Sequence, residues 1–153
     1  MTEATIPQQA GDTDAARWVA ATVGATYRAD VTARMHSFAV DEPVALGGTD
    51  AGATPYEYLL GALSSCMAMT LRLYANRKGW PLEKIVVQMR TARSHEADCE
   101  NCATAAVGIT RIERKVELHG PLNDEQRARL MQIADRCPVK QTLEHGIAVE
   151  SVS

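Results

Sequence analysis

The strongest constraint on this chain is a stretch that both starts and stops a helix. Thr54 precedes Pro55, and Glu57 follows three residues after the threonine. A threonine hydroxyl can accept from the third helical amide while a glutamate there reaches back to the cap amide, and a first-turn proline gives up only an amide with no helical partner. At the far end Gly79 can take the left-handed conformation that closes a helix, and Pro81 blocks extension. The spacing predicts one helix from Pro55 to about Lys78. Leu59, Leu63, Cys66, Thr70 and Leu73 fall on one of its faces, with Leu60, Met67, Leu71 and Tyr74 on adjoining ones. So broad an apolar surface calls for contact on several sides, which makes the helix central to the fold or part of a subunit interface.

Around this helix the signals are mostly those of strands. "ARWVAATV" and "TYRADVTAR" flank Gly24-Ala25 as a plausible hairpin, and "MHSFAVDEP" suggests a third strand ended by Pro43. "GGTDAGA" carries three glycines in seven residues and must be a loop. Beyond the helix come the strand-like "KIVVQMRTAR", the polar "SHEADCENCATAAVG", and a strand in "ITRIERKVELHG". In the last, Ile109, Ile112, Val116 and Leu118 are the apolar members and the alternation is imperfect between Ile109 and Ile112. Asn123 can cap a second helix, "DEQRARLMQIADR", with Leu130, Ile133 and Ala134 inward. "VKQTLEHG" predicts a further short helix and "IAVESV" a closing strand. The order implies an α+β fold with an antiparallel-rich sheet packed against a long central helix.

At 153 residues and 46% hydrophobic content the chain can bury one substantial core. A single domain over residues 15–153 is expected, preceded by a polar, flexible tail over 1–14. Sixteen Lys and Arg against 19 Asp and Glu leave a formal net charge of -3, so no global positive field favours nucleic acid or an anionic membrane. With neither a long uncharged apolar run nor a signal-like start, the protein is expected to be soluble and cytoplasmic.

Four cysteines then need individual readings. Cys66 is either a small core hydrophobe or a reagent. It lies about three turns into its helix, beyond the reach of the helix dipole, so a thiolate there needs a cation from another element; Arg28 and Arg34 on the early strands are the candidates. Cys137, in "RCPVKQ", stands at a break where Pro138 can begin a new helix, with Arg136 and Lys140 near enough to favour a thiolate. His95, Cys99 and Cys102 in "HEADCENC" have the spacing of a redox pair or half a zinc site, but no second pair follows to close one.

Taken together, "DEPVALGGTDAGATPYEYLLGALSSCMAMTLRLYANRKGW" and "IADRCPVKQTL" resemble the OsmC/Ohr family of thiol-dependent hydroperoxide reductases over roughly Val31 to Val152. The resemblance implies an intertwined homodimer with its sites at the subunit interface, Cys66 as the peroxidatic thiol and Cys137 as the resolving one. It implies an organic hydroperoxide as substrate, a dithiol such as a lipoyl group as reductant, and no cofactor. The family holds an activating arginine with a glutamate placed directly after the helix-starting proline. Here Tyr56 occupies that position and Glu57 comes one later, so Glu57 either serves that purpose or only closes the cap with Thr54. Arg28 is the first choice for the arginine and Arg34 the second. "HEADCENC" lies outside the pattern and points to a divergent branch. The alternative is a non-catalytic module that binds an apolar ligand or, through His95, Cys99 and Cys102, senses redox state or zinc.

Overall fold

The structure, a computed structural model, describes residues 18–91 and 111–151. The tail over 1–14, Ile109, and the His95, Cys99 and Cys102 segment lie outside the described residues. The chain forms two compact units, one ending at Gly52 and the other beginning at Ala53.

The first unit is an antiparallel meander of β1 (Val19–Val23), β2 (Ala29–Ala33) and β3 (His36–Val40). Ala33 pairs with His36, so Arg34 and Met35 form a two-residue hairpin turn, with Arg34 at a φ of 57°. The chain leaving β3 is organised by Asp41, which is 2% exposed. Its carboxylate accepts from the Thr49 hydroxyl at 2.6 Å and from the amides of Glu42, Thr49 and Ala51 at 2.8, 3.0 and 3.2 Å. Four donors on one buried anion close the loop over 41–51 and satisfy a charge that would otherwise be costly to bury. The loop is so tight that a Cβ on Gly48 would stand 1.9 Å from the Glu42 carbonyl oxygen, and one on Gly52 2.1 Å from that of Ala39. The glycine-rich "GGTDAGA" is therefore a packing requirement as well as a turn signal.

The second unit is built on α1 (Pro55–Lys78), which spans the predicted residues. Thr54 and Glu57 make the reciprocal cap, the Thr54 amide donating to Glu57 Oε2 at 2.8 Å, and Gly79 closes the other end at a φ of 63°. After α1 come β4 (Lys84–Thr91) and β5 (Ile112–His119), an antiparallel pair, then α2 (Asp124–Ala134) and α3 (Pro138–His145). Asn123 caps α2 through the Gln126 amide at 2.8 Å. Helix α1 packs on β4, α2 and α3. Its buried stripe is Leu63, Met67, Leu71 and Ala75, every fourth residue, which meets Leu82, Leu122, Leu130, Ile133, Ala134 and Cys137. The strand pair contributes Ile85, Val87 and Met89 from β4 and Ile112, Val116 and Leu118 from β5.

Two expectations are corrected. The predicted face of Leu59, Leu63, Cys66, Thr70 and Leu73 is fully buried only at Leu63, and Leu73 is 53% exposed, whereas the adjoining Met67 and Leu71 are buried, because neighbours cover α1 most deeply along the fourfold spacing. The closing strand "IAVESV" does not form over its described residues; Ile147 and Val149 stay exposed, since alternation without a paired ladder leaves backbone groups to water. Among the described residues no helix is long and apolar enough to cross a membrane.

The Asp41 network generates a pH prediction. Hydrogen bonding, first from Thr49, lowers the Asp41 pKa from 3.8 to about 2, outweighing desolvation. A carboxyl whose folded pKa is depressed stabilises the fold above its unfolded pKa and loses that contribution as pH falls through the folded one. The stability gap between wild type and Asp41→Asn, followed by thermal unfolding, should therefore narrow between pH 4 and about 2; a gap constant with pH would overturn the assignment. Gly48→Ala should destabilise the protein far more than Gly24→Ala, whose added carbon meets nothing within 4 Å. In the second unit, Leu130→Ala, at a fully buried position, should cost about 2–5 kcal/mol in urea unfolding.

Candidate functional site

Pro138 cannot donate to a preceding turn, so α2 ends, two residues turn, and α3 starts afresh with Cys137 at its N-cap. The corner is pinned by backbone bonds from Arg136 to Ile133 at 2.9 Å and from Gln141 to Cys137 at 3.0 Å, and by the Gln141 side chain on the Asp135 carbonyl at 2.8 Å. Packing α1 against this corner brings the Cys66 thiol near enough to Cys137 to act on its titration. Both are thiols. They differ in environment: Cys66 is half-buried, whereas Cys137 is fully buried in the core.

That difference reverses the expectation that basic neighbours make Cys137 a thiolate. Burial pushes its pKa up, the amides of Val139 and Lys140 at the start of α3 act the other way, and the Cys66 thiol raises it further. Lys140 gives little help because it is engaged by Glu144 at 2.7 Å and lies 3.6 Å from Asp135. Cys137 is held as a protonated thiol, able to donate to a sulfur that carries charge or oxygen.

The helices carrying both cysteines also wall a groove of about 560 Å³. Its apolar lining includes Leu59, Leu63 and Met67 from α1, Met89 and Ile112 from the strands, and Leu143 from α3. Arg111, Arg114, Lys140 and Glu144 supply the charged part. Arg114 was missed by sequence reasoning. Period-two alternation in β5 places Ile112, Arg114, Val116 and Leu118 on one face, so an arginine occupies an inward position and pairs across the sheet with Met89. Its guanidinium bonds Asp135 at 2.8 Å and lies 3.9 Å from the Met67 sulfur, linking the sheet both to the α2–α3 corner and to the residue after Cys66. The available signal was a charge at the inward phase of an apolar alternation.

Of the other predicted residues, Arg28 and Arg34 belong to the first unit and Glu57 to the start of α1. Arg28 precedes β2 and is tied to Asp30 at 2.8 Å on the surface of the first unit. Arg34 sits in the hairpin turn of the same unit. Glu57 accepts from the Thr54 amide and hydroxyl at 2.8 and 3.0 Å, the capping role anticipated for it. No cluster of three or more His, Cys, Asp or Glu suited to a metal occurs among the described residues.

Comparison with known proteins accords with this architecture. Solved structures with the same fold include an OsmC-like protein from Mycoplasma pneumoniae, at 22% identity and a TM-score of 0.70, covering 86% of this chain and 89% of that one. An organic hydroperoxide resistance protein OsmC from Legionella pneumophila matches at 18% identity and 0.61, covering 85% and 90%. The organic hydroperoxide resistance protein OhrB of Bacillus subtilis matches at 20% and 0.54, covering 82% and 88%. No curated protein matches the sequence significantly. The pattern of the OsmC-like protein family matches residues 48–152, which include both thiols, α1 and the α2–α3 corner, and the chain belongs to that family.

Proposed function

We propose that this protein is a thiol peroxidase that reduces organic hydroperoxides to alcohols and works as a homodimer. The observation that carries the proposal is the approach of Cys66 to Cys137, two thiols of unequal exposure on helices that wall an apolar groove. Neighbours of the same fold named for organic hydroperoxide resistance support it.

The cycle follows from that asymmetry. The Cys66 thiolate attacks the outer oxygen of the hydroperoxide; the O–O bond breaks, the alkoxide leaves and takes a proton, and Cys66 becomes a sulfenic acid. Cys137 then attacks the Cys66 sulfur, forming a disulfide and releasing water. A dithiol reductant restores both thiols by exchange and leaves as its own disulfide. Peroxide consumes the two electrons that the dithiol supplies, so the balance closes without a cofactor. The partly exposed thiol meets the substrate and the buried one meets only the sulfenic acid, which limits over-oxidation.

The attacking thiolate needs a cation. Arg28 is proposed for that role, with Arg34 of the same unit as the other candidate, and Arg114 is a guanidinium of the unit that carries both thiols. Glu57 is proposed to orient the helix start through its cap. The groove lining would seat the organic part of a hydroperoxide, which favours alkyl and aryl hydroperoxides over hydrogen peroxide. The same groove also fits the alternative of a ligand-binding module. Stoichiometric zinc in the purified protein, without peroxidase activity, would favour that alternative and His95, Cys99 and Cys102.

Cumene hydroperoxide consumption with a dithiol should fall to background in Cys66→Ser, and equal rates for variant and wild type would remove the proposal. Cys137→Ser should consume one equivalent in forming the Cys66 sulfenic acid and a second as that acid advances to sulfinic acid, read by mass spectrometry, and then stop. Before any peroxide is added, iodoacetamide should label Cys66 well ahead of Cys137. Titrating the Cys66 thiolate against pH in Arg28→Gln, Arg34→Gln and Arg114→Gln should identify the activating arginine as the one whose loss raises the pKa.

A further inference from the structure

Toward the C-terminal end of α1, the cations of Arg129 and Lys78 meet one phenol. The Tyr74 hydroxyl oxygen accepts from Arg129 Nε at 3.2 Å, and the Arg129 guanidinium carbon lies 5.8 Å from the Tyr74 ring centroid. Lys78 Nζ is 6.0 Å from the same centroid, and Trp80 meets the ring edge-on at 5.5 Å. Arg136 also acts on this phenol, which the Arg129 hydrogen bond, first of all, pulls below its ordinary pKa. Because the oxygen accepts from Arg129, the hydroxyl proton remains available to a further acceptor.

Most of the other cations among the described residues are already engaged, Arg34, Arg77 and Lys84 being outside any ion pair as well. Arg28, Arg90, Arg111, Arg114, Lys115 and Lys140 are each paired with carboxylates, and Arg72 and Arg127 are engaged by backbone carbonyls. Lys78, Arg129 and Arg136 have no carboxylate partner among the described residues; besides Tyr74, Arg129 donates to the Gln132 side-chain oxygen at 2.8 Å. In a chain of net charge -3, a local cluster of cations with no carboxylate partner among the described residues, set around an aromatic pair, is a surface that an anion would relieve. Lys78 and Arg136 are exposed, so the cluster presents an open face rather than an enclosed pocket. Tyr74 and Trp80 pack on the core cluster to which Cys137 belongs, and Arg136 precedes Cys137 in the chain.

We propose that the Tyr74–Trp80 face, with Lys78, Arg129 and Arg136, docks the acidic surface of a protein dithiol carrier that reduces the Cys66–Cys137 pair. The carrier's redox role rests on the peroxidase reading; its acidity rests on the cation cluster. Carboxylates on the carrier would pair with the three cations, accept the Tyr74 proton and set the carrier's dithiol against the disulfide.

The test uses the full chain and a labelled glutamate-rich peptide bearing a vicinal dithiol, compared with its glutamine counterpart. By fluorescence anisotropy the glutamate peptide should bind and weaken as salt rises, and the glutamine peptide should bind far more weakly. A Lys78→Glu, Arg136→Glu double variant should lose about tenfold in affinity, whereas Lys84→Glu, a charge reversal outside the patch, should change it by less than about twofold. Should the double variant unfold, Tyr74→Phe keeps the ring, removes the donated proton and should bind a few times more weakly. Equal binding of the two peptides, or equal losses in Lys84→Glu and the patch variants, would overturn the docking surface. Hydroperoxide turnover with dithiothreitol is read separately; peptide binding without any turnover would overturn the carrier's redox role while leaving the acidic docking surface in place.

Discussion

Everything distinctive about this molecule depends on the contact between α1 and the corner where α2 gives way to α3. Pro138 forces a fresh helix start, and the residue before it is placed at the cap and sealed into the core. The opposing helix supplies a stripe of Leu63, Met67, Leu71 and Ala75, and close packing along it leaves little freedom in how the helices register. Cys66 is next to that stripe rather than in it. The register that buries Met67 therefore leaves its neighbour half-exposed while bringing its sulfur to Cys137. A shift of one residue along α1 would bury the outer thiol or separate the pair.

Arg114 shows how the sheet is tied into that contact. A guanidinium at an inward strand position would be costly if left unpaired, and Asp135, at the corner itself, answers it at 2.8 Å. The pair is worth little as a stabilising ion pair, but losing one partner would strand a partly covered charge beside Met67. Its consequence is positional: the corner cannot drift from β5 without exposing that imbalance. The same economy appears at the other end of the strand pair, where Arg127 donates to the Leu118 and Gly120 carbonyls at 2.6 and 2.9 Å, fixing α2 to the exit of β5.

What the sequence disclosed, and what it withheld, follows the range of the forces involved. The bounds of α1 were legible because Thr54, Pro55, Glu57 and Gly79 act within a single turn of where they stand, and Leu130, Ile133 and Ala134 were legible because helical spacing is local. The buried stripe of α1 was not, since Leu73 and Met67 are equally apolar and only the neighbours decide which is covered. The closing strand failed for a related reason: Ile147 and Val149 alternate correctly, but a strand needs a partner that alternation does not specify. The direction of the Cys137 pKa was hidden because adjacent basic residues are visible in a sequence and tertiary burial is not. Asp41 reads as one acid among 19, and only the closed loop shows that it organises four donors.

Net charge and local charge answer different questions, and this chain illustrates the distinction. A formal charge of -3 argues against a long-range field that would gather polyanions, because at physiological salt such a field is damped over roughly 8 Å. Within that distance the individual neighbours matter, and around Tyr74 they are Arg129, Lys78 and Arg136. An acidic partner that touches this face would meet positive charge on contact while feeling little of it at a distance. Association of that kind is short-ranged, salt-sensitive and readily reversed, as the proposed exchange with a dithiol carrier would require.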